Sequence, residues 1–208
     1  MAASLLRTQP GIDPKRVFVL GHSQGAMMAP RIGARDPQIA GLILLAAPSR
    51  SLLDILIEQN RRLSILNDGK TSDSENAAIQ QLVDSVNAVR SGREIAAAQA
   101  PMGVPAAYWS SVDAVNPVAE AKAIAQPMLI LQGARDIQVV DADWQGWKEA
   151  FHNSPRATFK LYETLNHLAI PGEGDGNLQE YQTPGRVAPE LIADVAQWIA
   201  AQAPKRKK

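Results

Sequence analysis

VFVLGHSQGAMMAP, from Val17 to Pro30, runs from an apolar stretch into a serine boxed between two glycines and on into residues of helical composition. A buried strand that stops at Gly21-His22-Ser23-Gln24-Gly25 and gives way at once to a helix fits a G-x-S-x-G turn. Two backbones cross closely in such a turn, and neighbours without a Cβ allow the crossing. The turn lifts the serine hydroxyl clear of the sheet. It also aims the N-terminus of the following helix, with its unpaired N–H groups and partial positive charge, at the atom the serine attacks. Gln24, directly after the serine, is the expected source of one such N–H, a donor to an oxyanion. Pro30 is expected to kink this helix or to end its first regular section.

Working outward, RVFVL from Arg16 is joined by three runs of the same unbroken character: GLILLAA from Gly41, PMLILQG from Pro127 and TFKLYE from Thr158. Runs of this kind read as strands buried on both faces of a parallel sheet, with helices between them. The fold class is therefore α/β, an open sheet whose functional loops lie beyond the C-terminal ends of its strands. The stretch from about Pro48 to Gln126 is too long for a simple crossover. SLLDILIEQNRRLSIL from Ser51 carries leucine and isoleucine at helical spacing, and Ser72 with Glu75 forms a capping box ahead of Ile79, Leu82, Val83 and Val86, which share one helical face. The expectation is a helical cap inserted over the edge of the sheet; a helical layer with no part in substrate binding is the plainer alternative. The implied division is 1–50 for the part of the core bearing the serine turn, 51–125 for the cap insertion, 126–204 for the rest of the core and 205–208 for a basic tail. A last helix near Pro189 to Ala201 sets Leu191, Ile192, Val195, Trp198 and Ile199 on an apolar stripe, and Trp144 and Trp147 read as core or pocket wall.

Composition narrows the functions. The 208 residues include 46% hydrophobic ones, enough for a substantial core, and 21 basic against 21 acidic residues leave no net charge. No long-range field favours nucleic acid or an anionic membrane, so a small molecule or another protein is the expected partner. Cysteine is absent, which excludes disulfides, thiolate metal sites and a cysteine nucleophile. No apolar run reaches the ~18 residues of a membrane span. Met1 to Pro10 has no signal-peptide character, so the chain as written reads as cytoplasmic. Lys205 to Lys208 read as a solvated end.

A serine hydroxyl needs a base to act as a nucleophile, and the base needs a group to orient it. Of three histidines, His22 lies inside the turn, where its ring is expected to point away from the serine hydroxyl, and His152 sits in the polar FHNSP. His167, in YETLNHLAIPGEGDG, follows the fourth strand and precedes a glycine-rich loop, where a base can reach back over the sheet. The acid belongs after a strand between serine and histidine. Asp136 occupies the turn at the end of LILQGARD, whereas Asp141 and Asp143 read as caps or first-turn acids of the helix with Trp144 and Trp147. The candidate set is Ser23, Asp136 and His167, in that order, with Gln24 as oxyanion donor. No metal or cofactor is called for.

In these residues the chain resembles the α/β-hydrolase superfamily, and within it bacterial serine esterases that carry GHSQGAMMAPRIG, GLILLAAPSR, LILQGARDIQV and NHL. The resemblance covers essentially the whole chain. It implies a carboxylic-ester hydrolase acting on small or medium acyl esters through an acyl-enzyme, with Ser23 as nucleophile, His167 as base then acid, Asp136 orienting the imidazole, and no cofactor. Peptidases, thioesterases and acyltransferases use the same triad. A dehalogenase is disfavoured, because that chemistry uses a carboxylate where Ser23 stands.

One departure from the family pattern is large. The serine turn there follows the fifth strand of eight, whereas here only about 15 residues precede the strand, and ASLLRTQPGIDPKRV looks like the end of a helix with Gly11 as its C-cap. The expectation is a partial α/β-hydrolase fold, a parallel sheet equivalent to strands five to eight with a helical insertion. Its first strand is expected to be an exposed apolar edge open to self-association. The family's second oxyanion donor comes from a loop after the third strand, and losing one donor costs roughly a hundred- to thousandfold in turnover. The alternative function is therefore an impaired fragment that needs the missing N-terminal half; a binding module without catalysis is the remaining one.

Overall fold

The computed structural model describes residues 2–202. The expected basic tail, Lys205 to Lys208, lies outside the described residues. Two compact units are present. The first comprises the chain up to Ser49, Pro117–Asp175 and the chain from Gly185 onward; the second comprises Arg50–Asn116 and Gly176–Pro184.

The first unit is an α/β sandwich. Its sheet consists of β1 (Phe18–His22), β2 (Gly41–Leu45), β3 (Met128–Gly133) and β4 (Ala157–Tyr162), hydrogen-bonded in the order β1-β2-β3-β4 and parallel throughout. The four aliphatic runs are these four strands. Being parallel, the sheet is covered on both faces, and residues alternate between two cores. Leu42, Leu44, Met128 and Ile130 face Ala26 and Ala29 of α2 (Gln24–Arg35), Ala121 of α6 (Pro117–Lys122), and Trp144, Trp147 and Phe151 of α7 (Asp141–Phe151). Ile43, Leu129 and Leu131 face Leu191 and Trp198 of α8 (Pro189–Ala201). Trp147 is fully buried, and its indole N–H donates to the Ala47 carbonyl at 2.9 Å, so the ring is both packed and satisfied.

The edge strands depart from the aliphatic rule. β3 is buried along its whole length, but Leu20 on β1 is 51% exposed, because a strand with one neighbour cannot be enclosed as a central one is. Two local expectations are corrected and one is narrowed. The first helix, α1 (Ala2–Arg7), ends well before Gly11, which instead takes a positive φ of 80° in the following turn. Pro30 does not end α2, which continues to Arg35; the ring is buried in the core face. Ile192 was expected on the apolar stripe of α8 but is 58% exposed, since Leu191 and Trp198 take the two buried positions.

The second unit is helical. Its helices are α3 (Leu52–Asp68), α4 (Asp73–Arg90) and α5 (Ala106–Asp113), with Leu53, Val86, Val89 and Trp109 as their core. The Ser72–Glu75 capping box is present: each partner's side chain accepts from the other's backbone N–H. Arg90 ties the three helices together through Asp54 at 2.8 Å and Asp113 at 2.9 Å. The segment Pro117–Lys122, which the sequence alone assigns to the insertion, lies in the first unit, where Arg31 of α2 binds Glu120 through two nitrogens. Among the described residues no helix is long and apolar enough to cross a membrane.

α1 is attached to the sandwich by a bidentate pair. The Arg7 guanidinium donates to both oxygens of Asp36, just past the end of α2, at 2.8 and 3.1 Å. These hydrogen bonds hold the Asp36 carboxyl below the usual carboxylate range, against the opposing effect of its burial. A carboxyl depressed in the folded state adds stability above its unfolded pKa and loses it as pH falls through the folded one. Asp36→Asn is therefore expected to lower the urea midpoint at pH 7. The gap from the parent chain should narrow steadily below about pH 4.

Candidate active site

The exits of the strands build the site. At each exit the first residue beyond the strand donates to the end of the next strand: Ser23 N–H to Leu45 at 2.9 Å, Ala46 to Leu131 at 2.9 Å, and Ala134 to Tyr162 at 2.9 Å. The chain thus leaves the sheet along one continuous line. Ser23 stands on that line with φ 56° and ψ −124°, a left-handed conformation costing a residue with a Cβ roughly 1–3 kcal/mol, which the surroundings must impose. They do so through Gly21, where a Cβ would lie 2.2 Å from the Gly25 carbonyl oxygen. Gly25 itself is exposed, and a Cβ there would meet nothing within 4 Å, so only one of the two glycines is needed for the close crossing. The Ser23 carbonyl accepts from Ala26 and Met27, opening α2. Gln24 is the first residue of that helix.

Asp136 and His167 are together. His167 Nδ1 lies 2.8 Å from Asp136 Oδ2, with the histidine side chain 5% and the aspartate side chain 1% exposed. A carboxylate can only accept, so Nδ1 carries the hydrogen, and in the neutral imidazole Nε2 is the nitrogen with the lone pair. The carboxylate is held from three further directions: Oδ1 accepts from the backbone N–H of Gln138 at 2.8 Å and Val139 at 2.9 Å, and Oδ2 from the Gln132 amide at 3.3 Å. Asp141 and Asp143 are the first-turn acids of α7, as their spacing suggests, but Asp143 does more: fully buried, it accepts from the Ser49 N–H at 2.9 Å.

His167 rides on a tight turn. Asn166 accepts on its side-chain oxygen from the N–H of Leu168 at 3.0 Å and of Ile170 at 3.1 Å, and Ala169 takes a positive φ of 57°. The turn presses on the exit of β3: a Cβ on Gly133 would lie 2.2 Å from the Leu165 carbonyl oxygen, and the Arg135 N–H donates to that same oxygen at 3.1 Å.

Ser23 and His167 leave from opposite edges of the sheet, and His22 spans the gap. Its Nε2 donates to the His167 carbonyl at 2.7 Å, and the two rings stand 4.7 Å apart between centroids. Sequence reasoning gave His22 no part in the site, yet its ring fastens the residue before Ser23 to the His167 backbone. Among the described residues no hydrogen bond joins Ser23 Oγ to His167; such bonds often tighten only when substrate is present. His152 is exposed at the end of α7, beside Asn153. Gln132 was also missed, although a lone amide in the aliphatic PMLILQG must find a buried partner and so was a signal. Among the described residues no three histidine, aspartate or glutamate side chains group to hold a metal ion.

Comparison with known proteins identifies the family and the fold. Residues 3–175 match the model of a family described as serine aminopeptidase, S33. The chain is 31% identical over 187 residues to esterase EstD of Thermotoga maritima, an alignment covering 90% of this chain and 43% of the relative, so it spans less than half the length of that protein. Acetyl xylan esterase 1 from Thermoanaerobacterium sp. superposes with a TM-score of 0.53 at 15% identity, over 98% of this chain and 50% of that one. The Pyrococcus furiosus esterase Pf2001 gives a TM-score of 0.54 at 15% identity, over 96% and 59%. At that identity the solved structures speak for the fold alone.

Two substitutions test the packing of the site. Gly133→Ala is expected to push the His167 turn off β3 and cost about 1–3 kcal/mol in a urea titration. His22→Phe keeps a ring but loses the 2.7 Å donor. It should cost about 1 kcal/mol by the same measurement, mostly through the orphaned carbonyl.

Proposed function

The chain belongs to the serine aminopeptidase S33 family, with part of the α/β-hydrolase fold, and from that premise we propose that it is a serine hydrolase cleaving carboxylic esters of small or medium acyl groups. The observation that carries the reading is the buried Asp136–His167 hydrogen bond at 2.8 Å, with His22 fastening the strained serine turn to the same histidine. In this reading Ser23 Oγ attacks the ester carbonyl carbon while His167 Nε2 takes its proton. The charge that develops on the carbonyl oxygen is met by the Gln24 N–H and the positive end of α2. The tetrahedral adduct collapses as the imidazolium returns its proton to the departing alcohol, leaving the acyl group on Ser23. Water, deprotonated by His167, then attacks the acyl carbonyl and releases the acid. Asp136 holds Nδ1–H throughout, so Nε2 is the nitrogen that exchanges protons.

A second reading is favoured by β1 standing at the edge of the sheet with Leu20 51% exposed. In it the site works only after another strand pairs along β1, through self-association or with a further polypeptide segment that supplies the second oxyanion donor.

The purified chain is expected to hydrolyse p-nitrophenyl acetate and butyrate faster than the dodecanoate, and faster than it cleaves aminoacyl p-nitroanilides. Ser23→Ala should lower the ester rate at least about a thousandfold. A fluorophosphonate should label Ser23, located by peptide mass spectrometry. Faster anilide cleavage would replace the ester by a peptide substrate. A folded, monodisperse monomer that neither hydrolyses nor labels would favour the second reading.

A further inference from the structure

Arg135, the residue before the acid, has no part in the chemistry described above, yet it is one of the most buried charged groups of the first unit, at 7% exposed. It gathers backbone carbonyls: Nε donates to Gly174 at 2.6 Å, and the terminal nitrogens donate to Glu173 at 2.8 Å, Thr164 at 3.3 Å and Asp175 at 3.4 Å. Thr164 lies before His167 in the chain, and 173–175 lie after it. One side chain therefore closes both ends of the segment that carries the base, and that side chain is peptide-linked to Asp136.

The fit leaves little slack. A Cβ on Gly172 would lie 2.1 Å from an Arg135 terminal nitrogen, so the segment is wrapped directly on the guanidinium. Gly172 also donates its N–H to Thr164 at 2.9 Å, and Arg135 gives its own N–H to Leu165 at 3.1 Å, so backbone bonds reinforce the same closure. A planar fork with five donors suits several carbonyls arriving from different directions; an ammonium is a single point with a shorter reach. Removing the guanidinium orphans several carbonyls at once and releases both ends of the segment.

We infer that Arg135 is a positioning residue for the base: it clasps the 164–175 segment so that His167 Nδ1 stays on Asp136. The inference rests on the triad reading above, but it concerns the His–Asp contact and not the identity of the substrate. A displacement of about 1 Å at the base costs on the order of a hundredfold in rate. Arg135 touches neither serine nor substrate in this scheme, so the loss should fall on kcat with KM nearly unchanged.

The test compares Arg135→Lys and Arg135→Ala with the parent chain by two readouts. The first is the low-field proton resonance of His167 Nδ1–H, assigned by its disappearance in His167→Gln. The second is kcat and KM for p-nitrophenyl butyrate, with and without millimolar guanidinium ion. Far-ultraviolet circular dichroism checks that each variant is folded. The expected result is a weakened or lost resonance in both variants, a kcat lowered about a hundredfold in Arg135→Ala at a KM within about threefold, and partial recovery by guanidinium in the alanine variant but not in the lysine one. A folded lysine or alanine variant that keeps the parent resonance, or keeps the parent kcat, would overturn the inference. Should Arg135→Ala not fold, Arg135→Lys alone decides by the same resonance. If the parent chain hydrolyses no ester, the substrate reading fails, and the resonance still settles the role of Arg135.

Discussion

The Asp136 carboxylate is the point at which the working end of the sheet is joined. It takes hydrogen bonds from β3 through Gln132, from the entry to α7 through Gln138 and Val139, and from the turn after β4 through His167. A buried carboxylate without donors is costly, so each of these three elements is drawn to one place by the same requirement. The orientation of the imidazole follows from it, because a fully engaged carboxylate leaves His167 one way to offer a hydrogen. The tautomer with its hydrogen on Nδ1 is thus a consequence of packing around an acid and not of any contact made by Nε2.

Around that point the backbone is tight where it needs to be. Gly21 under Gly25 and Gly133 under Leu165 are contacts of main chain on main chain, and neither leaves room for a methyl group. Positive φ values at Ser23, Ala46 and Ala169, all residues with a Cβ, cluster at this same end of the sheet. Strain of this kind persists only where the surroundings over-determine the conformation. Here the surroundings are the exit ladder, the Asn166 turn and the histidine bond between the serine turn and the base. Rigid strand ends thereby set the relation between residues that leave from opposite edges of the sheet.

The central strands were legible because burial on both faces leaves an unmistakable aliphatic run, and the serine turn because its steric demands are local. The capping box at Ser72 and Glu75 was legible for the same reason. The readings that slipped depended on neighbours distant in the chain. Gly25 resembles Gly21 in sequence, but only at Gly21 would a Cβ strike another backbone. Ile192 has the spacing of a core residue, yet α8 turns Leu191 and Trp198 inward instead. Gly11 marks a turn but not the helix end, because α1 stops earlier. The contacts of His22 and Arg135 were not legible because their partners, the His167 carbonyl and the carbonyls of 164 and 173–175, are backbone atoms that no side-chain pattern announces.

By itself, the sequence determined the class of fold and the identity of its four strands, since these follow from periodicity, and it nominated Ser23, Asp136 and His167 from the chemistry each residue type allows. The tertiary structure decided which groups meet. Hydrogen bonds that bring Asp136 to His167, His22 across the sheet to the His167 carbonyl and Arg135 around its loop depend on distances between strand exits, and those distances exist only once β1 to β4 have paired and both faces have been packed.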